Sequence, residues 1–188
     1  MPLWVQIVII IAILIVIAVT LHFAFEVGKQ MLISVIVISA VGILAHFVGE
    51  ALPRRLFDPE KFPYRAYPWE KNGRIYEKLG VRKWKDYMPD KSRWVKSSFE
   101  KTLCNQSDPE SLRHLLQETC VAECIHWILF FLSPLILVFT RGTAAYIITA
   151  LYALSNFPLI VIQRYNRPRL RRLLQRRLRA AQKEADAR

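Results

Sequence analysis

Apolar residues gather in four long runs, Leu3–Phe25, Met31–Val48, Val121–Thr140 and Thr143–Ile162, of 23, 18, 20 and 20 residues. Glu123 is the only formally charged residue in them. A helix rises about 1.5 Å per residue, so roughly 20 apolar residues cross the hydrocarbon core of a bilayer. The pattern predicts an all-α integral membrane protein with about four transmembrane helices, near 3–25, 31–52, 121–140 and 143–163. The second run is short and turns polar at His46 and Glu50. It crosses tilted, or it extends to Leu52 by burying that pair. The whole chain, 1–188, reads as a single membrane domain.

Segment 53–120 is too rich in aromatic residues to be a linker. Phe57, Phe62, Tyr64, Tyr67, Trp69, Tyr76, Trp84, Tyr87, Trp94 and Phe99 alternate there with basic residues. Trp and Tyr favour the bilayer interface, which satisfies both ring and polar edge. Prolines at 53, 59, 63 and 68 break helix. An irregular interfacial layer with short helices is expected, with a turn at Asn72-Gly73. Ser107-Asp108-Pro109-Glu110 reads as a helix start, running toward the third span. In the tail, 164–188, Pro168 predicts an end to the fourth span near Arg167. A second helix follows, with Leu170, Leu173, Leu174, Leu178 and Ala181 on one face and arginines on the other. It reads as a basic amphipathic helix for an anionic leaflet.

Charge sets the expected topology. Segment 53–120 carries 15 Lys/Arg against 10 Asp/Glu, and the tail 10 against 2, within a formal net charge of +12. Lys and Arg favour the cytoplasmic side. The segment and the tail are expected inside, and the connections Glu26–Gln30 and Arg141–Gly142 outside. An even number of spans then puts both termini in the cytoplasm. Met1-Pro2-Leu3-Trp4 lacks a basic side chain and the first run exceeds a signal-peptide core, so it is expected to be a span or signal anchor. Cys104, Cys120 and Cys124 are odd in number and fall on the reducing side, which predicts free thiols. Their spacing is poor for zinc, and no metal site is expected.

The sharpest constellation is Glu123-Cys124-Ile125-His126-Trp127 at the inner mouth of the third span. Glu123 and His126, three apart, share a helix face. A carboxylate that orients a histidine makes a general base. The bland alternative is a polar pair packed between helices. His46 and Glu50, four apart, either face that pair or snorkel. Asn156, followed by Pro158, needs a partner at its depth. It makes an interhelical hydrogen bond at a kink, or it contacts substrate. Val81-Arg82-Lys83-Trp84-Lys85-Asp86 and Gln163–Arg169 are dense basic–aromatic clusters suited to phosphate. A membrane-tethered cluster of this kind meets anionic lipid more often than nucleic acid, and no nucleic-acid partner is expected. G-x-S-x-G, P-loop, dinucleotide, H-E-x-x-H and H-x4-D patterns are all absent.

Val81-Arg82-Lys83-Trp84-Lys85, Glu123-x-x-His126-Trp127, Asn156-x-Pro158 and Gln163-Arg164-Tyr165-Asn166-Arg167-Pro168-Arg169-Leu170 together resemble the glycosyl-4,4'-diaponeurosporenoate acyltransferase family. That family includes the final enzyme of staphyloxanthin synthesis. The resemblance covers roughly Gly49 to Leu170. The extra N-terminal span departs from it, and His46 and Glu50 do not carry over.

The resemblance implies a multi-pass protein of the bacterial cell membrane. Such an enzyme O-acylates a sugar hydroxyl of a glycosylated carotenoid or related glycolipid. No cofactor is implied; the acyl donor is a thioester, acyl-CoA or acyl carrier protein. His126 is expected as the base and Glu123 as its orienting partner. Arg82, Lys83, Arg164 and Arg167 are expected on donor phosphates or on the tetrahedral intermediate. Tyr165 and Asn166 are expected at the sugar, and Trp84, Lys85, Asn156, Gln163 and Arg169 complete the binding set. Two other readings stay open at this stage. One is a non-enzymatic lipid-binding membrane partner, and the other a metal-dependent lipid hydrolase.

Overall fold

The computed structural model describes residues 3–88 and 108–187. The expectations for Trp94, Phe99, Cys104 and Ser107 lie outside the described residues. Among the described residues all regular structure is helical, and three stretches are long and apolar enough to cross a membrane: Ile10–Ala51, Pro109–Phe139 and Thr143–Asp186.

The N-terminal hairpin is not formed. Leu3–Ala51 is one 49-residue helix, α1, about 73 Å long at a rise of about 1.5 Å per residue. The expected connection Glu26–Gln30 holds no proline, and Glu, Lys and Gln form helix well. Gly28 alone resists, by about 1 kcal/mol relative to Ala. That is less than the several helical hydrogen bonds a turn would break, at about 1 kcal/mol each. The cytoplasmic N-terminus followed from an even span count, and a continuous α1 removes that premise.

Residues 10–25 of α1 are exposed at every position and apolar all round, a surface for hydrocarbon rather than water. The C-terminal half of α1 docks. Gln30 Oε1 accepts from the Arg141 backbone N–H at 3.0 Å. Gly49 faces Ile125, whose Cγ1 would lie 3.5 Å from a Cβ there. Arg54, just past the helix, donates to Glu118 at 2.6 Å. Gln30 and Arg141 thus share one end of the bundle, and Arg54 and Glu118 the other.

The segment after α1 is irregular, as its prolines predict. It holds 3-10 turns at Arg54–Leu56, Pro68–Gly73 and Lys85–Tyr87, with two short helices, α2 (Arg74–Lys78) and α3 (Val81–Trp84). Asn72 and Gly73 turn the chain with φ of 56° and 84°. A Cβ at Gly73 would meet the Tyr165 carbonyl oxygen at 3.3 Å, so glycine serves both the conformation and the close approach. Tyr76, Val81 and Tyr165 form a buried cluster that Trp84 covers.

The next helix, α4 (Pro109–Leu132), starts where the capping signal puts it. Asp108 Oδ2 accepts from the Ser111 N–H at 3.3 Å, and Pro109 and Glu110 fill the first turn. It runs unbroken through the expected start of the third span at 121. Pro134 then tightens Ser133–Leu135 into a 3-10 turn before α5 (Ile136–Phe139).

The last helix, α6, spans Thr143–Asp186 and contains Pro158 and Pro168. The fourth span and the tail are therefore one helix, against the expected stop near Arg167. An interior proline removes one helical hydrogen bond and disfavours helix at the residue before it, at a cost of about 3 kcal/mol. Arg167 is held in place by four side-chain hydrogen bonds, which offset that cost. The α4–α6 pair is the most extensive packing in the molecule.

Candidate active site

The site lies where α4, α6 and the 63–76 segment meet. Its centre is Glu123, 1% exposed. Arg164 Nε donates to Glu123 Oε1 at 2.8 Å, and Arg167 Nη2 to Oε2 at 2.7 Å. The two arginines sit three apart on α6 and so present one face to α4. Arg164 Nη1 reaches Glu70 Oε1 at 2.6 Å, and its Nη2 reaches the Pro63 carbonyl at 2.7 Å. Arg167 Nε donates to Thr119 Oγ1 at 3.0 Å, its Nη1 to the Tyr64 carbonyl at 2.6 Å, and its Nη2 also to the Thr119 carbonyl at 2.9 Å. Two arginines and two glutamates balance in charge. Buried charges persist only when paired and hydrogen-bonded in this way.

Glu70, also 1% exposed, was not among the expected site residues. The Tyr67 N–H donates to its Oε2 at 2.8 Å and the Tyr76 hydroxyl to its Oε1 at 2.6 Å. Burial first, then the Glu70 carboxylate, pushes the Tyr76 phenol well above its ordinary pKa of 10.0, so it stays a neutral donor. Burial and the adjacent Cys124 thiol do the same for Tyr64. The signal for Glu70 was present as Tyr67-Pro68-Trp69-Glu70, a proline-led first turn with an acid two residues on.

His126 does not pair with Glu123. Its Nδ1 lies 3.1 Å from Asn156 Oδ1 on α6. The Asn156 amide is oriented by its Nδ2, which donates to the Tyr152 carbonyl at 2.9 Å. Its oxygen therefore faces the imidazole and accepts from Nδ1–H, leaving Nε2 as the basic nitrogen. The Glu123 oxygens are occupied by the two arginines, and the hydrogen-bond partner of the imidazole is Asn156. On the same stretch of the α4–α6 seam, Trp127, Phe130 and Phe157 pack edge-on against one another, with ring centroids 4.9–6.0 Å apart.

A groove of about 570 Å³ opens beside the cluster. Trp127, Ile128, Phe131 and Leu132 of α4 form its apolar wall, and Glu123, Arg164, Tyr64 and Cys124 lie at its polar end. His126 belongs to the adjoining helix face and does not line this groove.

The 81–85 cluster lies beside the tail, and Arg82 bonds to neighbouring side chains while staying largely exposed. Arg82 Nε donates to the Tyr165 hydroxyl at 3.3 Å and its Nη2 to Glu77 at 3.1 Å. Arg169 Nη2 reaches the same Glu77 oxygen at 2.5 Å while its guanidinium stacks 3.4 Å from the Tyr165 ring centroid. Trp84 donates its indole N–H to the Leu79 carbonyl at 2.9 Å. Lys83 is exposed, and Lys85, Gln163 and Asn166 are half-buried. Neither Arg82 nor Lys83 lines the groove. At the end of α1, His46 lies against Phe47, and Glu50 lies 3.8 Å from Arg54. Cys120 and Cys124 are free thiols. Among the described residues no three His, Cys, Asp or Glu side chains converge.

Similarity falls on the part of the chain that builds this site. The sequence profile for glycosyl-4,4'-diaponeurosporenoate acyltransferase matches residues 53–176. Proteins of that name from Staphylococcus aureus strains bovine RF122 / ET3-1, MRSA252 and Newman are 31% identical over 130 residues, covering 68% of this chain and 77% of theirs. No solved structure matches the chain. The match starts just after α1 and includes Glu70, Glu123, His126, Asn156, Arg164 and Arg167. The chain is an acyltransferase and belongs to the glycosyl-4,4'-diaponeurosporenoate acyltransferase family.

Proposed function

We propose that this enzyme transfers a fatty acyl group from a thioester, acyl-CoA or acyl carrier protein, to a sugar hydroxyl of a glycosylated carotenoid or related glycolipid. The observation that carries this reading is the groove, apolar along Trp127–Leu132 and ending on Glu123 and Arg164 within the family-matched segment. Its volume falls in the range of about 300–1,000 Å³ that encloses a single ligand. The acyl chain occupies the groove, and the thioester carbonyl lies at its polar end. The sugar hydroxyl approaches from the adjoining face of α4, outside the groove lining, and His126 Nε2 takes its proton. The oxygen adds to the carbonyl, the C–S bond breaks, and the thiolate leaves with that proton. Arg164, whose guanidinium borders the groove, offsets charge on the tetrahedral intermediate. Asn156 holds the imidazole in the required tautomer.

The basic 53–88 segment and the tail lie at the cytoplasmic face, where the water-soluble donor arrives. The acceptor enters laterally from the bilayer. Arg176, Arg177 and Arg179, exposed on α6, meet anionic phospholipid headgroups.

The test is a comparison of lipid extracts by mass spectrometry. The protein is expressed in a membrane that supplies a glycosylated C30 carotenoid acid. A species heavier by one acyl chain, absent without the protein, is the expected result. An unchanged acceptor pool, with the protein present and folded, contradicts the reading.

A further inference from the structure

A second cavity of about 250 Å³ lies on the other side of the same arginines. Tyr64 and Arg164 border both cavities. Pro168, Arg171, Arg172 and Gln175 form its outer wall, at helical spacings of three and four, which place them on one face of α6 with Arg164 and Arg167. Along that face the burial changes. Arg167 is buried and spends its donors on Glu123, Thr119 and Tyr64, whereas Arg171, Arg172 and Gln175 are exposed. The carboxylates run out at the same place. Glu70 and Glu123 balance the inner two arginines. Arg171 has Glu60 at 2.5 Å, but both side chains are about half exposed, so that pair is weak and opens readily. Asn72 adds an amide on the opposite wall, its backbone fixed by the turn.

We propose that this cavity binds a phosphate-bearing group, with Arg171, Arg172, Gln175 and Asn72 as its donors. Planar guanidinium groups match phosphate oxygens two at a time. Resting on the acyl-transfer reading above, the shared wall at Tyr64 and Arg164 places this phosphate beside the carbonyl end of the acyl groove. One amphiphile then spans both cavities, its phosphate in one and its chain in the other. An acyl-CoA has that form, and so does an anionic phospholipid.

Binding is measured without turnover, on the full chain in uncharged detergent, with two probes: coenzyme A and dihexanoyl-phosphatidylglycerol. At least one probe is expected to bind. The double variant Arg171→Gln/Arg172→Gln weakens that binding about tenfold or more, as for loss of charged hydrogen bonds. Lys78→Gln/Arg113→Gln removes the same charge at exposed positions outside both cavities and leaves binding unchanged. Gln175→Leu, a neutral change in the wall, also weakens it, which keeps the test open if the double variant fails to fold. Binding of coenzyme A assigns the coenzyme, and binding of the glycerophospholipid alone assigns a headgroup. If neither probe binds, or both double variants weaken binding equally, the proposal is overturned. Acyl transfer, read separately from product mass, stands or falls independently.

Discussion

Arg164 and Glu123 join at 2.8 Å across the α4–α6 seam, 41 positions apart in the chain. Both side chains are almost fully buried, and each has a second ionic partner, Glu70 for the arginine and Arg167 for the glutamate. Removing one member of a buried ionic group leaves an uncompensated charge, at a typical cost of about 3–5 kcal/mol. Glu123→Gln is expected to lower thermal stability in detergent by about that amount, because Arg164 then keeps only Glu70 and Arg167 loses its carboxylate partner. Arg167→Lys is expected to destabilise as well, since one ammonium cannot reach Thr119, Tyr64 and Glu123 together. Unfolding curves matching those of the unaltered protein would contradict the network's role.

The Tyr76 hydroxyl carries a pH prediction. Its phenol is favoured in the neutral form, so the folded state holds that proton more tightly than the unfolded state does. The stability this supplies is complete below the unfolded value near 10.0 and is lost as pH rises above it. Thermal unfolding is therefore expected to show a downturn above about pH 10 that is smaller in Tyr76→Phe. At neutral pH the same variant is expected to lose about 1.5–3 kcal/mol, the worth of a hydrogen bond to a charged group.

Asn156 sets the imidazole through its side-chain oxygen, so Asn156→Leu is expected to lower kcat with little change in KM. Loss of a positioned base costs about 10²–10⁴-fold, and loss of its orienting partner a part of that. A Michaelis analysis in which KM rises and kcat holds would assign Asn156 to substrate contact instead.

Groove length reads out in the product. Phe131 and Leu132 wall the groove two turns from Glu123, so Leu132→Trp fills it there. The acyl chains found on the product are expected to shorten. An unchanged chain-length distribution would put the acyl chain elsewhere.

Much of the site was legible from local signals. Asp108-Pro109-Glu110 set the start of α4, and Asn72-Gly73 set a turn. Periodicity did not carry long-range choice of partner. Glu123 stands three residues from His126, yet arginines 41 and 44 positions away hold it, because a buried carboxylate is worth more to a guanidinium than to a neutral imidazole. Break signals overstate the breaks at two places. Pro168 predicts a stop but lies within α6, and the Glu26–Gln30 stretch predicts a connection between spans but continues α1. The hydrogen bonds of a continuous α1 outweigh about 1 kcal/mol at Gly28, and the Arg167 network offsets the larger cost of an interior proline, about 3 kcal/mol.

The most direct test of the account is the rate of acyl transfer by His126→Ala against the unaltered enzyme. Both are purified in uncharged detergent and supplied with the same thioester and glycosylated carotenoid acid, with thermal unfolding confirming equal fold. The account predicts a fall of about 10²–10⁴-fold in kcat. A folded His126→Ala enzyme within a few-fold of the original rate would contradict it and move the base elsewhere.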